Sequence, residues 1–153
     1  MVAIVLTIKR KQGMTFDEYD SYWRNHHAPL ITSIPEFMRH CRKYSQFHIL
    51  APSGDGSLRE FETAPGKELD GVTILWFDSQ EDLRKAFNEP RYLEVVKPDE
   101  YEFNDLDNCV GYVTEEVVMW NGGELYNLPR IEAGEPVVRP FADDSVPSSA
   151  SSK

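Results

Sequence analysis

Cysteine is scarce in this chain, with two copies in 153 residues, and Cys41 and Cys109 stand far apart with neither a CxxC pair nor a Cys/His metal spacing. That excludes zinc-finger and thioredoxin-like chemistry and gives no ground for a disulfide, so both read as reduced, part-buried thiols of a cytoplasmic protein. Long hydrophobic runs are missing too. The apolar stretch from Val2 to Ile8 leads straight into Lys9-Arg10-Lys11; it is too short for a signal-peptide core with its cleavage site, and nothing else approaches the roughly 20 apolar residues that span a bilayer. Positive charge is in deficit: 26 acidic against 16 basic residues give a formal charge of −10, a field that repels phosphate backbones and anionic headgroups. Neither nucleic acid nor a membrane is an expected partner. There is also no Walker loop, GxGxxG, GxSxG or HExxH motif, so the common phosphate, dinucleotide, serine-hydrolase and zinc-peptidase readings have no footing.

What is present suits one soluble globular domain, since 41% hydrophobic residues over this length are enough for a core. The β-branched run Val2 to Ile8 predicts a first strand, ended by the Gln12-Gly13 turn. Thr15 with Glu18 forms a capping box, after which Phe16, Tyr19, Trp23, His27 and Leu30 share one helical face. Pro29 predicts that this helix ends near His27 or Ala28. A second strand is expected over Phe37 to Leu50, with Tyr44, Gln46 and His48 alternating on one face, and a third over Gly71 to Phe77. Ser79 and Asp82 cap a second helix through Phe87. Short helical pieces over 91–97 and 99–104 precede a fourth strand from Val110 to Trp120. The order β-α-β-β-α-β predicts an α+β, ferredoxin-like fold: a four-stranded antiparallel sheet with its helices on one face. Val72, Ile74 and Trp76 make the other face apolar, and the simplest cover for it is a second copy, closing the two sheets into an α+β barrel. A homodimer is therefore expected.

Beyond Asn121-Gly122-Gly123 the composition shifts to scattered prolines, acids and a serine-rich end. Residues 1–120 are expected to form the domain, 121–142 an arm lying on a partner or over the pocket, and 143–153 a disordered tail.

The segment from Lys9 to Tyr19, followed by Tyr22-Trp23-Arg24-Asn25-His26-His27-Ala28-Pro29-Leu30, resembles the opening of the EthD family. Lys43 to His48 is similar to that family's Tyr-x-Gln-x-His strand, Asp70 to Asp82 to its third strand and helix cap, and Asp99-Glu100 with Phe103 to its pre-strand segment. The resemblance covers residues 2–120 and implies a dimeric α+β barrel with no metal or organic cofactor. It further implies a small, flat aromatic substrate of polyketide type: relatives act as cyclases, dehydratases or decarboxylases, and others of this fold as cofactor-free oxygenases or lactone isomerases.

His27 is the first catalytic candidate. At the end of an apolar helical face it serves equally well as a helix cap, and the His-Ala-Pro resemblance favours function. His48 and Tyr44, on one strand face with Gln46, are expected to enter the same cleft as helper and oxyanion donor. His26 reads as a rim residue and His40 as a surface one. Trp23, Trp76, Phe87, Tyr92 and Phe103 read first as core, and as walls for an aromatic substrate where a cavity opens between sheet and helices. Asp99, Glu100 and Asp105 are possible carboxylate partners for a histidine, although an acidic run before a strand is more often solvated. The expected reaction is a cofactor-free lyase step, decarboxylation or dehydration with cyclisation, in which one histidine moves a proton through an enolate. An anthrone-type monooxygenase and a non-catalytic ligand-binding protein are the alternatives.

Overall fold

A computed structural model describes residues 1–122 and the backbone of Glu124 and Leu125. The described residues fall into two units, one over 1–115 and one that begins at Glu116. In the second, β5 (Trp120–Asn121) pairs with β6 (Glu124–Leu125) as a small antiparallel hairpin. The expectations for the remaining arm and the tail fall outside the described residues.

In the first unit β1 (Val2–Ile8) is central, pairing antiparallel with β3 (Gly71–Phe77) on one side and β4 (Val110–Glu115) on the other. β2 (Cys41–His48) adds to the far edge of β3, giving the order β2-β3-β1-β4. This is the ferredoxin-like arrangement expected of the element order. Facing residues in antiparallel strands share a side of the sheet, so the registers Ile4 to Leu75, Leu6 to Thr73 and Leu75 to Tyr44 define one row under the helices. Val5, Ile74, Trp76 and Tyr112 point the other way.

The helical layer departs from the sequence reading at its prolines. Helix α1 (Phe16–Tyr22), opened by the Thr15 and Glu18 capping box, does not stop before Pro29. It widens into a π turn over Trp23–His27, where the Ala28 N–H bonds the Trp23 carbonyl, and continues as α2 (Ala28–Thr32) with Pro29 in its first turn. A proline is tolerated there because its missing N–H falls where a helix start leaves donors unpaired anyway. The same device recurs: a second π turn over Tyr92–Val96 leads into α5 (Lys97–Phe103), with Pro98 in its first turn. Because a π turn takes more residues, four-residue steps stay on one face. Trp23, His27 and Ile31 are all buried, and Ile31 replaces Leu30 as the next core position.

Two strand boundaries also move. Pro35 starts a short helix, α3 (Pro35–Met38), so β2 begins at Cys41 rather than Phe37. β4 ends at Glu115, short of Trp120. Between β3 and α5 lies α4 (Gln80–Phe87), capped by Ser79, whose hydroxyl accepts from the Asp82 N–H at 3.1 Å.

The core has two centres. One gathers Ile31, Ile34, Phe37, Leu75, Phe77 and Val96, and the other Ile8, Tyr19, Trp23 and Phe103, with Leu6 packing against both. Both cysteines are free; Cys41 is buried and Cys109 half-buried. Among the described residues, no helix is long and apolar enough to cross a membrane.

Candidate active site

Between these two centres the sheet and helices leave a cavity of about 420 Å³. Ile4, Leu6, Ile8 and Leu75 form its floor, while Trp23, Phe87, Tyr92 and Phe103 supply aromatic walls. Polar groups enter at a few points, chiefly His27, Tyr44, Thr73, Glu100 and Asn104. An apolar space with a few convergent polar groups is how small-molecule sites are generally built.

His27 is placed by the first π turn and is 7% exposed. Its Nδ1 lies 2.8 Å from Oδ2 of Asp99, a carboxylate on α5 that is itself buried. An ionised carboxylate only accepts, so Nδ1 carries the proton and donates it. Nε2 has no hydrogen-bond partner among the described residues and is not sealed inside protein, so it is the nitrogen turned to the cavity. The tautomer that follows leaves a lone pair on Nε2, as a proton acceptor requires. Asp99 is held in turn: the Tyr22 hydroxyl donates to Oδ1 at 2.5 Å, and Nε2 of His26 lies 3.3 Å from the same oxygen. Burial, and then Asp99 itself, push the Tyr22 hydroxyl above its ordinary pKa, so it stays a donor. The Phe103 ring packs on the imidazole with centroids 4.8 Å apart.

Tyr44 enters from β2. Gln46 Nε2 donates to its oxygen at 2.7 Å and also to the Trp23 carbonyl at 3.0 Å. Burial pushes the Tyr44 pKa up to about 12, against the opposing pull of the donors from Gln46 and Trp23. The phenol therefore keeps its proton across the physiological range, with its oxygen already occupied as an acceptor. Its hydrogen is free to donate.

Two expected site residues lie elsewhere. His48 follows Tyr44 and Gln46 on the same strand face, but the strand carries it past the cavity to the later part of α1. There its ring stacks on Trp23, Nδ1 pairs with Asp20, and Nε2 meets Gln46 Oε1 at 3.2 Å. Trp76 is on the opposite face of the sheet from Leu75 and Tyr44, by strand alternation, with Lys43 Nζ 4.4 Å from its ring. His40 is half-buried rather than superficial, with Nδ1 3.1 Å from Asp82 Oδ1. The acidic run is divided as well. Asp99 is buried against His27, Glu100 accepts from the Tyr92 hydroxyl and from Lys97 at 2.7 Å, and Asp105 accepts from the Asn108 side chain. Of the three carboxylates expected as possible histidine partners, Asp99 is the one on His27, whereas Asn104, on the cavity wall, was not singled out by sequence reasoning.

Comparison with known proteins agrees with this architecture. A conidial pigment biosynthesis dehydratase, EthD, of Metarhizium robertsii is 28% identical over 120 residues, which cover 75% of this chain and 84% of that protein. Among solved structures, an ethyl tert-butyl ether D (EthD) family protein of Bacillus halodurans superposes with a TM-score of 0.55 at 18% identity, over 76% of this chain and 99% of its own. A dimeric ferredoxin-like protein of unknown function from Bacteroides fragilis gives 0.53 at 13% identity, over 75% of this chain and 95% of its own. These likenesses carry the fold. The family model for the EthD domain matches residues 11–107, which run from the turn before α1 to the end of the helical layer, and the chain belongs to the EthD domain family.

Proposed function

We propose that this protein is a cofactor-free lyase acting on an aromatic polyketide intermediate, and that it removes water, or carbon dioxide, through an enolate. The observation that carries the reading is the buried His27 and Asp99 pair, which turns Nε2 of His27 toward an aromatic-walled cavity. The pigment dehydratase relative supports the choice of dehydration.

In dehydration of a β-hydroxy ketone, Nε2 removes the proton next to the carbonyl and the C–H pair becomes the enolate. Tyr44 donates to the oxygen as charge develops, and Asp99 steadies the imidazolium. The enolate pair then forms the new C=C bond, and the departing hydroxide takes the proton back from His27. In decarboxylation of a β-keto acid Nε2 takes the proton of the carboxylic acid, the C–C pair of the departing carbon dioxide becomes the enolate, and the imidazolium returns that proton to carbon. One histidine serves either course. The space between sheet and helices is not filled by side chains, which supports a role in handling a ligand.

The same reading includes a homodimer formed through the outer face of the sheet. Phe47, Val110 and Tyr112 on that face are 46–54% exposed, and large apolar sheet faces are normally covered. The dimeric Bacteroides fragilis neighbour is consistent with it.

The test is incubation of the purified chain with hydroxylated aromatic β-keto acids and β-hydroxy ketones, following products by mass spectrometry and dissolved oxygen together. Loss of water or carbon dioxide with no oxygen uptake supports the lyase. Oxygen uptake in step with product would replace it with the monooxygenase, and tight binding without turnover would leave a ligand-binding protein.

A further inference from the structure

We propose that Asn104 is a ligand-binding residue of the cavity, and that its carboxamide hydrogen-bonds an oxygen substituent of an aromatic ligand, a carbonyl or a phenolic hydroxyl. The ligand class rests on the reading above, but the proposal needs only binding, not turnover.

Asn104 ends α5 and is 7% exposed. Its backbone is anchored. The Asn104 N–H bonds the Glu100 carbonyl at 3.1 Å, and the chain on either side is tied to β1 by the Lys11 N–H on the Phe103 carbonyl and the Asp105 N–H on the Lys9 carbonyl, both at 2.8 Å. Its side chain, by contrast, makes no hydrogen bond among the described residues. Oδ1 is sealed in protein with no partner. Nδ2 is not sealed, and since the residue is nearly buried and borders the cavity, the cavity is where Nδ2 is presented.

A buried carboxamide without partners is unfavourable, and such groups are rare enough to need a reason. Helix capping does not provide one. Asparagine is favoured after a helix because it tolerates the left-handed conformation, whereas Asn104 is extended, at φ −104° and ψ 144°. Nor are the carboxylates of the same helix available to it. Glu100 is occupied by Tyr92 and Lys97, and Asp99 by Tyr22 and the two histidines. Ile8, Phe103 and Leu106 add apolar surface to the wall, and the Cys109 sulfur already accepts the Lys9 N–H at 3.3 Å. The open partner for Asn104 is therefore a ligand atom, and an aromatic ring in this space presents oxygen at its edge. Fixed by two backbone attachments, the carboxamide selects among ring substitution patterns, since a ring lacking oxygen at that edge leaves it unpaired.

The experiment uses the full chain, with naphthol and the isomeric dihydroxynaphthalenes as probes in titration calorimetry, on wild type, Asn104→Leu and Asn104→Ala. In wild type one or more of the diols should bind about tenfold tighter than naphthol, the size of one well-formed hydrogen bond. Asn104→Leu should bring that ratio close to one while leaving naphthol affinity within about threefold. Its melting temperature should hold or rise, because no hydrogen bond within the protein is lost. A diol preference that persists in both variants overturns the assignment to Asn104 and leaves the cavity reading standing. Loss of the fold in both variants overturns it as well, by making the side chain structural. Failure of every probe to bind folded wild type removes the aromatic cavity reading and this proposal with it.

Discussion

The ring of Trp23 lies close against Gly71: a methyl group built on that glycine would sit 2.5 Å from Cζ3 and 2.7 Å from Cη2 of the indole. Trp23 is four residues before His27 on the same buried face and borders the cavity. The glycine is what lets the helix approach the start of β3 closely enough to close that end of the site.

Gly71→Ala should therefore act as an overpacking mutation. A displaced tryptophan is expected to cost roughly 1–3 kcal/mol in denaturant unfolding. Turnover should fall as well, because the π turn that carries His27 moves with the ring. An unchanged unfolding midpoint would mean that the indole slides aside freely, and that the close approach has no structural consequence.

For the paired side chains, His27→Ala should cut turnover by about 10²–10⁴-fold with ligand binding largely retained. Asp99→Asn is the more searching variant. Its carboxamide keeps the shape but can donate to the imidazole through its nitrogen, which permits the wrong tautomer and withdraws the counter-charge, so a loss of the same order is expected. If Asp99→Asn keeps full activity while His27→Ala loses it, the carboxylate serves the fold and not the proton transfer. His48→Ala, by contrast, should alter stability more than rate, since His48 pairs with Asp20 and stacks on Trp23 away from the cavity.

Alkaline pH should unfold the protein through its buried tyrosines. Burial pushes Tyr44 up to about 12 and raises Tyr19, Tyr22 and Tyr92 above the ordinary value as well. A phenol that holds its proton more tightly when folded contributes its full stability below the unfolded value, near 10, and loses it as pH climbs through the folded value. Stability should accordingly fall from about pH 10 upward, and the phenolate absorbance beyond that of the exposed Tyr101 and Tyr112 should rise together with the loss of circular dichroism. Gradual ionisation of Tyr19, Tyr22, Tyr44 and Tyr92 with an intact spectrum would count against their burial.

Much of this was legible in the sequence because the local signals agreed with the global ones. The β-branched runs at Val2 and Gly71, the Thr15 and Glu18 capping box, and Ser79 with Asp82 each found the element expected of them. His27, Tyr44 and four of the five aromatics reached the cavity wall because spacing along a helix or strand fixes which way a side chain points. Trp76 failed on the same rule, being one residue out of phase with Leu75. His48 failed for another reason. Alternation gives the face of a strand but not the distance along it, and the cavity stops short of that residue. Asp99 was one of three carboxylates expected as possible partners for a histidine, and composition, which suggests a solvated face for such a run, did not choose among them. The available signal was helical phase: Asp99 stands three residues after the buried Val96 and four before the buried Phe103. The π turns were masked by the usual reading of proline as a stop.

Those prolines supply the last prediction. His27 lies two residues before Pro29 and Asp99 one after Pro98, and each helix passes its proline by widening to a π turn, Trp23–His27 in one case and Tyr92–Val96 in the other. In both, the N–H after the turn reaches back five residues, from Ala28 to Trp23 and from Lys97 to Tyr92. A regular helix would need an N–H at the proline itself, so restoring one removes the reason for the bulge. Pro98→Ala should let the second helix relax toward ordinary α geometry, turning the residues beyond it by part of a turn relative to Tyr92 and drawing Asp99 off Nδ1 of His27. The expected outcome is unchanged or slightly higher thermal stability together with a loss of turnover approaching that of Asp99→Asn, and the double variant should then be little worse than either single one. Pro29→Ala should behave alike from the histidine side. If Pro98→Ala keeps both full turnover and the His27 ring environment, read from its imidazole proton shifts, then the packing of Tyr92 and Val96 holds the π turn and the proline does not.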